Sequence, residues 1–141
     1  MILHCNFEEL RALASGAELL LMEYQSSAPE YVVAPSEAAT DVERLRTRLH
    51  ESLSIATLAE QRSVRKAVGA ICEELHERLE EKVLQFHPAH EEAVSLYFDY
   101  AHAFGVLSRL DEMGIEMAGI IELMTGGPVT DGSANSVTFP D

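Results

Sequence analysis

Two tetrapeptides carry the residue types and spacing that could do chemistry. Glu73-Glu-Leu-His76 and Asp99-Tyr-Ala-His102 each place a carboxylate three residues before an imidazole. On a helix, positions i and i+3 share one face, so each pair could present an oxygen and a nitrogen donor to one divalent ion. If a turn lies between His87 and Pro88, position 73 comes opposite 102 and position 76 opposite 99, so both pairs sit at one level of a helical hairpin. His87, His90 and Glu91 form a second cluster, in which the spacing suits a surface metal but the setting at a helix start fits turn formation and capping better.

In spacing, Glu73, His76, Asp99 and His102 resemble the ligand pattern of ferritin-like bundle proteins, with Asp99 where that pattern has Glu. The resemblance covers those tetrapeptides alone. It implies iron, manganese or zinc held between two helices, with further bridging carboxylates sought among Glu18, Glu23, Glu37 and Glu43. A hydrogen-bonded pair of imidazole and carboxylate between helices explains the same residues without a metal, and Asp99 and His102 need such partners because they interrupt an apolar stripe. The stretch from Glu43 to Glu51, containing His50, looks like the phosphoacceptor helix of histidine kinases, although no nucleotide-binding domain follows and an exposed histidine accounts for it. No nucleophile elbow, phosphate-binding loop, dinucleotide fingerprint or HExxH motif occurs, and Gly126 and Gly127 follow a helix instead of opening one.

The elements that must position these residues are helices. The chain has 141 residues, 47% of them hydrophobic, which suffices for one domain with its own core. Asn6 with Glu9 starts a first helix through Leu10, Leu13, Ala17 and Leu20 to about Gln25, weakened in its middle by Gly16. The prolines at 29 and 35 make 26–36 a loop, with Tyr31 to Val33 a short extended run. A second helix follows Ser36 or Thr40 along Val42, Leu45, Leu49 and Leu53, ending near Ser54. Thr57 and Glu60 form a capping box that opens a third, with the stripe Val64, Val68, Ile71, Leu75, Leu79, Val83 and Phe86.

Pro88 suits the start of a fourth helical pattern that runs to Thr125. Val94, Phe98, Ala101 and Gly105 share one of its sides, whereas Val106, Leu110, Met113, Met117, Ile120 and Met124 share nearly the opposite one. Such a helix is buried on two faces or broken near Gly105 or Gly114. The last two helices would be about 43 and 55 Å long, against a diameter of about 35 to 40 Å for a compact chain of this size. The expected fold is therefore all-α: an elongated bundle of four helices, or five if the last is broken, spanning 1–125, with a long C-terminal helical hairpin. Residues 126–141 form an extended or disordered tail, pinned through Val137 and Phe139.

Charge narrows the partners. A formal net charge of −14 repels nucleic-acid phosphates and anionic lipid, so neither nucleic acid nor a membrane is expected. Six of the ten basic residues, Arg44, Arg46, Arg48, Arg62, Arg65 and Lys66, crowd into one interval, where Glu43, Glu51 and Glu60 can pair with them; Arg109 is the lone base after Lys82. Cys5 and Cys72 form no disulfide framework, and the N-terminus lacks a signal-peptide pattern, which fits the cytoplasm. These features lead to an acidic, non-enzymatic interaction or regulatory protein that forms a homodimer through the second half of the chain and meets another protein partner. Metal binding within the bundle is the alternative.

Overall fold

A computed structural model describes residues 1–27, 36–50, 52–85, 90–127 and 139, with the His90 side chain left aside. The expected loop about Pro29 and Pro35, the turn at His87 and Pro88, and the side chains of Glu51, Phe86 and Val137 lie outside the described residues. The architecture is an all-α bundle. In chain order it comprises β1 (Ile2–Leu3), α1 (Phe7–Ser27), α2 (Glu37–Arg46), β2 (Leu53–Ser54), α3 (Leu58–Leu84) and α4 (His90–Thr125). No described helix is long and apolar enough to cross a membrane.

Local signals in the sequence set the helix starts. The Asn6 side chain accepts from the Glu9 N–H at 2.8 Å while the Glu9 carboxylate accepts from the Asn6 N–H at 2.9 Å, a reciprocal cap that satisfies both orphan donors. Ser36 caps α2 by accepting from the Ala39 N–H. Thr57 caps α3 by accepting from the Glu60 N–H, but Glu60 reaches one residue further back, to the Ala56 N–H at 3.1 Å, and also binds Arg48. Glu91 and Glu92 place negative charge in the first turn of α4, where the helix dipole favours it.

The second helix ends at Arg46, eight residues before the expected Ser54. The backbone tightens into successive i→i+3 turns after it, Arg48 N–H to Leu45 O and Leu49 N–H to Arg46 O, and Leu53 and Ser54 then pair antiparallel with Leu3 and Ile2. The Met1 ammonium donates to Ile55 O at 3.0 Å and the Ile55 N–H donates to Met1 O, so this small sheet fastens the start of the chain beneath α3. Phe139 joins the same edge, buried and donating its N–H to Ala56 O at 2.7 Å. An apolar stripe that reads as helical through Leu53 thus continues as a strand, because the tertiary pairing outweighs the local period.

The core lies between α1, α2 and the α3–α4 hairpin and includes Leu13, Val42, Ile71, Leu75, Val106 and Leu110. α1 packs closely on α3 because Gly16 has no side chain: a Cβ there would stand 2.5 Å from Ile71 Cγ2. α4 is one continuous helix of 36 residues, unbroken at Gly105 and Gly114. At Gly114 a Cβ would meet the buried Gln61 amide, which donates to Leu110 O at 2.6 Å. Close approach of Gln61 explains Gly114, whereas a Cβ at Gly105 would meet Glu9 at 3.8 Å, an ordinary contact that does not call for glycine.

Candidate functional site

The hairpin has the expected register. Arg65 lies beside Asp111, Gly69 beside Leu107, His76 beside Tyr100 and Lys82 beside Glu92, each pair ascending one helix as it descends the other. Glu73 and His76 therefore sit at the same level as Asp99 and His102. They do not share a face. Glu73 and His76 are exposed on the outer side of α3, where the His76 ring lies 5.4 Å from Tyr100, and His76 is 3.7 Å from Glu80. Asp99 and His102 are one helical step round α4, toward α1. A single residue's rotation of about 100° separates Tyr100 from Asp99, enough to turn one tetrapeptide away from the other. Among the described residues no three His, Cys, Asp or Glu side chains are gathered about a point that could hold a metal.

Asp99 is 9% exposed. Burial pushes its carboxyl pKa above the usual range; Arg11 on α1 and His102 oppose that shift, and Glu8 adds to it. His102 is held by its own helix: Nδ1–H donates to Phe98 O at 2.7 Å, which leaves Nε2 as the unprotonated nitrogen when the ring is neutral. His50 lies in the turn after α2 instead of on a helix, unlike a phosphoacceptor histidine. The basic interval is a paired surface, with Arg46 on Glu43, Arg48 on Glu60, Arg44 on Asp41 and Arg65 on Asp111.

Arg109, the lone base in the last third of the chain, proves to be a tie between helices. Its Nη2 donates to the Glu9 carboxylate at 2.5 Å, and the Glu9 side chain is only 10% exposed. Glu9 thus serves the α1 cap with one oxygen and α4 with the other. The isolation of Arg109 was the available signal, but nothing local identified its partner, which lies a hundred residues away.

The two apolar sides of α4 differ in burial. The inner stripe, Val106, Leu110, Met113 and Met117, fills the core of the same chain. The outer stripe does not. Val94 is 40% exposed, Tyr97 56%, Phe98 54% and Phe104 49%, and Ala101 is exposed as well. Positions 94, 97, 98, 101 and 104 follow the i, i+3, i+4, i+7, i+10 spacing of a helix-packing seam and occupy an arc of about 120°. Within 93–108 the sequence contains one carboxylate, Asp99, and no Lys or Arg, and Asp99 points inward. An uncharged, aromatic seam therefore faces solvent on a chain of net charge −14.

No protein-family model, curated protein or solved structure matches this chain.

Proposed function

We propose that this protein is a helical interaction module that works as a homodimer, formed by packing the outer face of α4 against the same face of a second copy. The observation that carries this reading is the exposed seam Val94, Tyr97, Phe98, Ala101 and Phe104, with no charge among its residues. A two-fold axis at Ala101 would run the two helices antiparallel and set Phe98 of each copy opposite Phe104 of the other. Alanine at the axis lets the backbones approach, while aromatics on either side fill the space.

The areas are consistent. From their fractional exposures, the seam residues offer on the order of 400 Å² of apolar surface per chain. That is close to the apolar share of the roughly 800 Å² each partner buries in a standard-sized interface. The antiparallel arrangement also brings Glu91 and Glu92 of one copy toward Asp111 and Glu112 of the other. Repulsion between these acidic ends weakens the dimer at low salt, so added salt should strengthen it.

Light scattering on the eluting protein tests the proposal. Twice the chain mass of 15.5 kDa is expected at micromolar concentration. Ala101→Glu should give the single-chain mass with an unchanged helical circular dichroism spectrum, because position 101 is exposed in the monomer. A monomeric wild type, or a variant that remains dimeric, overturns the reading.

A further inference from the structure

Beside the seam, α3 and α4 enclose an open groove of about 500 Å³ on the outer side of the hairpin. Gly69 lines its floor, where a Cβ would stand 3.3 Å from Arg65 Nη1. One wall is a ladder of rings: His76 to Tyr100 at 5.4 Å and Tyr100 to Phe104 at 5.9 Å between centroids. The other carries Glu73 and Glu77, neither of which forms an ion pair among the described residues. The base that lines the groove, Arg65, donates from Nε to Asp111 at 2.8 Å and lays its guanidinium against Gly69, so one cation stands beside the two carboxylates and leaves the lining acidic.

Electron-rich ring faces beside two exposed carboxylates make a site for an organic cation. A guanidinium or ammonium within about 6 Å of a ring centroid gains from the ring quadrupole, and the carboxylates add direct charge attraction. We infer that this groove receives a lysine or arginine side chain from a basic segment of a partner protein, its charge between Glu73 and Glu77 and its stem along Tyr100 and Phe104. The chain's net charge of −14 favours approach of such a segment. This inference rests on reading the protein as an interaction module and names the chemistry of its partner, but the groove is complete within one chain and does not require the dimer.

The test is a ¹H–¹⁵N correlation titration with N-acetyl-arginine amide, run on wild type and on the Ala101→Glu variant. Saturable shifts centred on Gly69, Glu73, Glu77 and Tyr100 are expected in both, with no comparable response to N-acetyl-norleucine amide. In the Ala101→Glu background, E73Q/E77Q and Phe104→Leu should each weaken binding about fivefold or more. Added salt should weaken it as well, opposite to its effect on self-association. Shifts scattered over the acidic surface, no saturation, or equal affinity in E73Q/E77Q overturn the inference. A monomeric wild type that still shows the saturable response would remove the dimer and leave the groove; a dimer without that response would do the reverse.

Discussion

Gly16→Ala offers a test of the α1–α3 packing in which local and tertiary effects have opposite signs. By helix propensity alone, alanine in the middle of α1 should stabilise the protein by about 1 kcal/mol. In the fold, the added Cβ would lie 2.5 Å from Ile71 Cγ2 and 3.1 Å from Leu75 Cδ1. Carbon atoms pack at about 3.5 to 4.0 Å, so the overlap is about 1 Å against side chains that are fully buried and flanked by the rest of the core. Overpacking of this kind costs about 1 to 3 kcal/mol, so the tertiary term outweighs the propensity gain and a net loss near 1 kcal/mol is expected. For a chain of this length that lowers the thermal midpoint by about 3 °C, measurable by circular dichroism melting in parallel with urea titration. Ile71→Leu removes the Cγ2 branch at nearly constant volume. In the Gly16→Ala background it should therefore recover part of the loss, giving a favourable coupling in the double-mutant cycle. A rise of the midpoint in Gly16→Ala, or strict additivity with Ile71→Leu, would refute the close packing on which the argument depends.

Other perturbations probe the remaining contacts. Glu9→Ala removes the side-chain half of the α1 cap and leaves Arg109 without its carboxylate, and because the Glu9 side chain is 10% exposed a loss of about 2 kcal/mol is expected in urea unfolding, against about half that for Asn6→Ala, which touches the cap alone. Asp99 has a folded pKa raised by burial, so its charged form opposes folding above that pKa and the penalty disappears as pH falls through it toward the unfolded value. Asp99→Asn should accordingly raise the melting temperature at neutral pH, with the difference from wild type narrowing on acidification; a constant difference across pH would contradict this. Phe139→Ala empties a buried site at the β2 edge and should cost about 2 to 4 kcal/mol in chemical unfolding, whereas an unchanged midpoint would show that this residue is not part of the core in solution. Burial raises the pKa of both thiols, that of Cys72 up to about 11, and Cys72 is buried where Cys5 is only half-buried, so a disulfide reagent should modify Cys5 well before Cys72 in native protein; simultaneous modification would mean that the α3 packing opens readily.

How far the fold was legible in the sequence follows from the range of each interaction. Asn6 with Glu9, Ser36 and Thr57 with Glu60 act within one helical turn, so the starts of three helices could be read from adjacent residues. The apolar stripes, the two-sided character of α4 and the level at which 73 and 76 meet 99 and 102 were equally accessible, because helical period and hairpin register depend on spacing alone. The sequence by itself therefore determined an acidic all-α bundle with a long hairpin and identified the residues that could face one another at its middle.

Tertiary structure decided which of them do. Rotation of α4 about its axis, set by burial of Val106 and Leu110 and by Arg109 reaching Glu9, puts Tyr100 opposite His76 and turns Asp99 and His102 toward α1. Pairing of Leu53 and Ser54 with the N-terminus ends a helical pattern that would otherwise have continued. Gly16 and Gly114, which look like weak points along a helix, lie where other elements come close. The stripe on α4 that packs inward and the stripe that stays exposed are similar in hydrophobicity; the remaining helices of one chain cover one side, and the tie from Arg109 to Glu9 helps to select which.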